Sequence, residues 1–335
     1  MATAGTARSE VSGIFVVRAT MQAIAAISLA DEEGALTPIP RGLDASTPGR
    51  NTSTCENRRS MSDSPLHSAF YRFTPLADPV AAAETLRALA RDLKGSVVVA
   101  HEGINGTVAG SAESIADFEA ALHGPGVLAG ALRGMVFKHS ACTTAPFGRL
   151  KVGVKPEIVA LGLPDTLPAP DERDASHLAP AEWRALLQRD DVVLLDNRNH
   201  FEFRLGHFDG ALDPQVHNFR DFAAYVQANA PAWRAAQRPV AMYCTGGIRC
   251  DKTAPWMRSL GLDVRQLDGG ILAYLGQAPD ADRHWLGECF VFDNRVALDR
   301  RLRETATTAD QVFDPAHPDE AWRLQRARRL DAAGD

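Results

Sequence analysis

Cysteine is scarce in this chain. Its 335 residues hold five, at positions 55, 142, 244, 250 and 289. An odd and scattered set excludes the disulfide framework of a small secreted domain and points to a reducing compartment, the cytoplasm. No C-x-x-C pair occurs, so a zinc site has no local support. Long apolar runs are missing as well. The most apolar stretch, residues 12–30, is interrupted by Arg18 and Gln22, which makes it a poor membrane span. It also makes a poor secretory signal, because DEEG follows where small residues should mark cleavage. Positive charge is in deficit. The net charge is −6, and residues 1–60 carry six basic and six acidic side chains, so the whole excess belongs to 61–335. Such a chain is not a bulk polyanion binder, and a nucleic-acid partner would need a local basic patch. Apolar residues make up 45%, ordinary for a globular protein, and the length suits about two domains with their own cores.

Residues 1–64 stand apart. From 31 to 64 the chain is rich in Gly, Pro, Ser, Thr and Asn without a period, the pattern of a disordered leader. Ordered patterning begins after Met61, which reads as the true start, with residues 1–60 an over-extended frame. The alternative is a genuine flexible leader. Intact mass of the protein from its native locus decides; a mass that includes residues 1–60 removes the idea.

Over 65–143 the elements alternate. FYRF (70–73) is a strand, and PVAAAETLRALARDL (79–93) has helical spacing and strong helix formers. SVVVA (96–100) is a buried strand. HEGINGTVAG (101–110) carries the turn dipeptide Asn105-Gly106, read as hairpin geometry. Ser111 is a candidate N-cap for a helix to 122, with Ile115, Phe118 and Leu122 on one face, and MVFKHSA (135–141) closes the set. The order βαββαβ predicts a ferredoxin-like domain. Residues 144–179 connect. They contain a strand with Arg149, Lys151 and Lys155, which either touches a phosphate backbone or is a solvated face, and a proline-rich linker at 164–174.

From 180 to 283 a helix (180–190), a strand (192–198), a helix (218–228), a strand (239–244), a helix (250–260) and a strand (263–270) imply an α/β domain with a parallel sheet. Residues 284–335 form a C-terminal extension. YCTGGIRCDK (243–252) falls where a strand gives way to a helix, the place where open α/β sheets bind ligands. Thr245, Gly246, Gly247, Ile248 and Arg249 make a turn whose N–H groups and helix N-terminus cradle an anion. A cysteine at its base has its thiolate favoured by those dipoles and by Arg249. The spacing is C-x4-R, one residue tighter than the C-x5-R of a cysteine phosphatase. It suits a sulfur-sized group on Cys244 better than a phosphoryl group.

Asp196 and Arg198, Glu202, Gly206-His207-Phe208, the Cys244 loop and LDGG (267–270) resemble a rhodanese domain. Together with FYRFTPL, HEGINGTVAG, RLKVGVKPEIVALG and GECFVFDNRVAL (287–298), they resemble the tRNA uridine(34) hydroxylase family over about residues 68–330. The resemblance implies oxygen-dependent hydroxylation of the tRNA wobble uridine to 5-hydroxyuridine. It implies a persulfide-type cysteine at Cys244, no evident metal or flavin, and molecular oxygen and a two-electron reductant as co-substrates. The anticodon arm of tRNA is the implied partner, held by the N-terminal domain and the basic strand, with no membrane. Asn197 and His200 depart from the usual family pattern without undermining the site, and oligomeric state stays open. The loop read alone also fits a sulfurtransferase carrying a persulfide on Cys244. A degenerate binding module is the third reading, opposed by the intact cysteine, glycines and arginine.

The supporting residues keep two readings each. Asp196 and Arg198 either support the site or only fix the fold. Cys250 is a resolving thiol or a structural one, and His207 an acid–base or a structural hydrogen-bonder. Cys289 is expected in the core, while Cys55 and Cys142 carry no argument. Pro255 is expected to cost its helix one hydrogen bond. The arginines at 323, 326, 328 and 329 form a salt-bridged surface helix or lean on tRNA phosphates.

Overall fold

A computed structural model describes residues 65–163, 175–278 and 280–332. The leader at 1–64 with Met61 and Cys55, the apolar stretch 12–30 and the linker at 164–174 lie outside the described residues.

The first sheet contains β1 (Leu66–Phe73), β2 (Lys94–Ala100), β3 (Gly103–Gly110), β4 (Phe137–Ala141) and β5 (Leu150–Val154), in the order β4-β1-β3-β2-β5. The first four strands pair antiparallel, as the βαββαβ pattern requires, and β5 adds in parallel to β2. The basic strand expected in the connecting stretch is therefore an edge of this sheet. Alternation divides its two faces. Phe70, Val97, Val99, Ile104 and Val108 pack against helices α1 (Pro79–Leu89) and α2 (Ala112–His123) through Ala82, Leu86, Ile115, Phe118 and Leu122. Ser111 caps α2 as expected, accepting the Ser114 N–H at 3.1 Å.

Asn105-Gly106 is not the hairpin turn. Both residues lie inside β3, and the chain reverses at His101–Glu102. Two local needs outweigh the dipeptide's turn preference. The Asn105 amide donates to the Ile158 carbonyl at 3.0 Å. Gly106 leaves room for Phe70, since a Cβ there would stand 2.9 Å from Phe70 Cζ and 3.0 Å from Val97 Cγ2.

The second sheet is all parallel. Its strands are β6 (His177–Leu178), β7 (Val193–Asp196), β9 (Val240–Tyr243) and β10 (Val264–Leu267), in the order β6-β10-β9-β7. Apolar runs such as VAMY are buried on both faces, as covered parallel strands require. Around them lie α3 (Pro180–Leu186), α5 (Phe222–Ala235), α6 (Ile248–Ser259) and α7 (Gly270–Gln277). The periodicity missed α7, the short α4 (His200–Leu205) and β8 (Gly206–Phe208). Helix α6 continues through Pro255. In the C-terminal extension, α8 (Ala309–Val312) and α9 (Pro318–Ala332) pack Val312, Phe313 and Leu324 on Phe201 of α4. Arg323 turns inward, its guanidinium 5.3 Å from the Phe201 ring centre and bonded to Asn218 Oδ1 at 3.2 Å, while Arg328 pairs with Asp310. Among the described residues no helix is long and apolar enough to cross a membrane.

Candidate active site

Strand β9 ends at Tyr243, and Cys244 follows with only 1% of its surface exposed. Four residues later α6 begins. The turn between them aims N–H groups at the sulfur, and Gly247 N–H donates to Cys244 Sγ at 3.1 Å. Gly247 has φ +102°, a conformation that disfavours any side chain, and a Cβ there would sit 2.8 Å from the Tyr71 hydroxyl. Burial alone would push the Cys244 thiol up. The Cys250 thiol, the Arg249 guanidinium and the Cys250 and Arg249 N–H groups outweigh it and bring the Cys244 pKa down to about 5. The residue is a thiolate at neutral pH, as its place at a helix N-terminus implies.

Cys250 is the third residue of α6, in its first turn, and is fully buried. Burial and its hydrogen bond to Cys244 push its own pKa well above the usual thiol value. The two sulfurs thus divide the work, Cys250 as a protonated donor and Cys244 as the anion that accepts. The Asn197 amide bonds Thr253 Oγ1 at 2.9 Å and lies 3.8 Å from Cys250 Sγ.

Arg249 does not reach over the loop. Its guanidinium turns down onto Glu202 in a bidentate pair at 2.7 and 2.8 Å, with Thr245 Oγ1 at 3.2 Å. Glu202 is wholly buried, and although burial raises its pKa, the Arg249 charge and hydrogen bonds win and lower it. Beneath the loop, Arg198 and Asp196 form a second buried pair at 2.7 and 2.9 Å. Arg198 also donates to the Gly206 carbonyl and stacks 5.6 Å from the Tyr243 ring and 5.4 Å from Trp285. His207, in β8, donates its Nδ1–H to the Phe203 carbonyl of α4 at 2.9 Å and stacks on the Phe203 ring. Cys289 is buried in the core of this half.

The loop is also held from outside, by the first sheet. Lys138 of β4 donates to the carbonyls of Gly246 and, at 3.2 Å, Gly269. The Tyr71 hydroxyl of β1 donates to Asp251 at 2.7 Å, and Ile248 packs with Tyr71, Phe73, Ala100 and Ile158. Lys252 of α6 is 1% exposed and sits between two carboxylates, Glu102 at 2.5 Å and Glu157 at 2.9 Å. Glu102 also accepts the Ile158 N–H at 2.7 Å. The HEGING and KPEIV segments, far apart in sequence, therefore meet on the helix that caps the thiolate. From the other side, the start of α7 closes the turn, with Ile271 N–H donating to the Cys244 carbonyl at 3.0 Å and Leu272 N–H to that of Thr245 at 3.1 Å.

Of the residues singled out in the sequence, Cys244 to Cys250 come together in one cradle with Asp196 and Arg198 below. Lys151 lies on β5, with Arg149 and Lys155 at its two ends, apart from the loop. Sequence reasoning missed Lys138, Tyr71, Glu102, Glu157 and Lys252. All five lie in stretches that had drawn notice for their pattern or resemblance, but none stood out within its stretch, and a lone lysine in a strand carries no signal of its own. Among the described residues no three His, Cys, Asp or Glu side chains converge to hold a metal ion.

Comparison with known proteins agrees with this architecture. Residues 66–158 match a family described as the UPF0176 acylphosphatase-like domain, and residues 179–277 match the rhodanese-like domain. A protein of Jannaschia sp. named tRNA uridine(34) hydroxylase is 45% identical over 241 residues, 71% of this chain and 77% of that one. Proteins of the same name from Synechococcus elongatus and Nitrobacter winogradskyi are 46% and 43% identical, covering 70% and 76% of this chain and 85% and 98% of theirs. With both halves matched in order and identity of this level, the chain belongs to the tRNA uridine(34) hydroxylase family.

Proposed function

We propose that this protein hydroxylates the wobble uridine, position 34, of tRNA to 5-hydroxyuridine, with Cys244 as the reactive residue. The observation that carries the reading is the relationship across both domains to proteins named for that activity. The thiolate cradle around Cys244 supports it. The reaction is a monooxygenation. One oxygen atom of O2 enters the C5–H bond of uracil, the other leaves as water, and a separate donor supplies two electrons and two protons. We assign no metal or flavin to it.

The chain's own residues supply an anionic sulfur held at a fixed place. Gly247, Arg249 and Cys250 stabilise it, and Glu202 locks Arg249. Cys244 is almost wholly covered, so a nucleobase does not touch its sulfur in this arrangement. A persulfide on Cys244 would extend the reactive atom outward by about 2 Å, one S–S bond. The N-terminal domain, with Arg149, Lys151 and Lys155, holds the anticodon arm, and the enzyme works in the cytoplasm where its tRNA is.

A sulfurtransferase moving sulfur through Cys244 is the reading of the loop alone, and it leaves the match of the N-terminal half without a purpose. The direct test is incubation of the purified protein with unmodified tRNA, a reductant and isotopically labelled dioxygen. One labelled oxygen atom on the wobble uridine supports the proposal. Label found only in water, or oxygen drawn from solvent, overturns it.

A further inference from the structure

The first sheet has one face packed on helices and one that is not. The pairing registers give the composition of the second face. Across its middle the aligned positions run Lys138, Ala69, Thr107, Ser96, Lys151, one from each of the five strands. Above and below that row the same face carries His67, Tyr71, Phe73, Lys94, Val98, Asn105, Ala109, Ser140, Arg149, Gly153 and Lys155, from the alternation of each strand. Five of these side chains are cationic, Lys94, Lys138, Arg149, Lys151 and Lys155, and none is a carboxylate. That separation occurs in a chain whose net charge is −6.

The face is closed at its corners and open in its middle. Asp293 and Arg295 of the C-terminal extension cover His67 and Ser140. The Cys244 loop and Ile158 cover Tyr71 and Phe73. Lys94, Ser96, Arg149 and Lys155 are exposed, and Ala69, Thr107 and Lys151 are half-buried. The floor between the cations is made of small uncharged residues, over which a strand can lie flat. The row spans four strand spacings, about 19 Å. It ends at Lys138, which touches the Gly246 and Gly269 carbonyls beside Cys244.

We propose that this face is the track for a single-stranded RNA segment, the part of the tRNA loop that flanks the target uridine. The cations at Lys94, Arg149, Lys151 and Lys155 take its phosphates, and Lys138 marks where it meets the catalytic loop. The proposal deepens the hydroxylase reading and rests on it for the identity of the RNA. Small residues suit unpaired nucleotides, which approach a flat floor more closely than a duplex does. Phosphate contacts of this kind release counterions, so affinity falls with salt in proportion to their number.

The test is equilibrium binding of an unmodified tRNA transcript with uridine at position 34, over a salt series, to the full chain and two double variants. Lys94→Gln with Lys151→Gln removes two exposed or half-exposed cations from the face. Arg91→Gln with Arg189→Gln removes two exposed cations elsewhere. The face variant is expected to weaken binding about tenfold at low salt and flatten the salt slope by about 1.4, two contacts at about 0.7 each for a single strand. The control variant is expected to stay within about twofold of the parent. A face variant that binds like the parent, or a control that weakens equally, overturns the proposal. So does a perfect RNA duplex that competes as well as the transcript. Oxygen gain on the uridine is measured on the same samples. Binding through this face without oxygen gain overturns the hydroxylase reading and leaves the surface standing, and the converse separates them the other way.

Discussion

Arg249→Met separates two jobs that one side chain performs. Arg249 neutralises Glu202 and helps hold Cys244 as a thiolate. Methionine keeps much of the stem and removes the charge. Glu202 is then a carboxylate with 0% exposure, left with the Thr245 hydroxyl at 3.3 Å and the Asn199 N–H at 3.2 Å. Breaking a buried pair from one side costs about 3–5 kcal/mol, because the remaining charge stays desolvated. Against a total stability of about 5–15 kcal/mol, the single variant should sit close to unfolding. Adding Glu202→Gln removes the stranded charge, and the double variant should recover at least half of the loss. The thiolate does not recover, since the Arg249 charge is absent from both. Chemical denaturation followed by tryptophan fluorescence reads the first effect, and all five tryptophans, from Trp183 onward, lie in this half. Thiolate ultraviolet absorbance, with Cys244→Ala subtracted, reads the second. A single variant as stable as the parent, or a double variant no better than the single, refutes the argument that the pair is held for charge compensation.

Other outcomes follow from the same contacts. With a Cys244 pKa of about 5, the thiolate is the form above that pH, so alkylation rates should hold level from neutrality and fall only as pH drops through about 5; a midpoint near the ordinary 8.5 or so would contradict the cradle. Cys250→Ala removes one donor to the sulfur and should raise that midpoint by about 0.7 unit, one hydrogen bond of about 1 kcal/mol, and an unmoved midpoint would show that Cys250 does not contribute. Lys252→Met leaves Glu102 and Glu157 facing each other without their cation, so loss of about 3–5 kcal/mol is expected in the same denaturation assay, with partial rescue by Glu102→Gln. Gly106→Val drives a side chain into Phe70 and Val97 and should cost about 1–3 kcal/mol, whereas a mere turn glycine would tolerate it better.

Much of this protein was legible because its signals are local. A strand, a glycine turn and a helix around Cys244 can be read within ten residues, and the dipoles that lower its pKa come from that same stretch. The βαββαβ order was legible from alternation and from helix spacing. What failed was whatever depends on a distant partner. Asn105-Gly106 looks like a turn because the dipeptide's preference is local, while the bond to Ile158 and the space for Phe70 that keep it in a strand are not. Helix α4 is only six residues long, too short to show a period, yet it carries Glu202. Arg249 was expected to serve the loop, and its length and charge say nothing of the glutamate beneath it. Lys138, Tyr71 and Lys252 become part of the site only when the first sheet meets α6. The basic trio was visible as composition, but the face it shares with Lys94 and Lys138 depends on strand register, which adjacent residues do not reveal.

The central claim is that Cys244 in its cradle serves the oxidation of a tRNA base. Nucleoside mass spectrometry tests it most directly, on tRNA from a host that lacks its own wobble-hydroxylating activities. The host receives either this protein or its Cys244→Ala form, with both confirmed as folded and expressed. The account predicts one added oxygen on uridine 34 with the parent protein and none with the variant. Added oxygen with both would remove the cysteine from the chemistry. No added oxygen with either would contradict the hydroxylase assignment, and thiosulfate-to-cyanide turnover would then be the activity to measure.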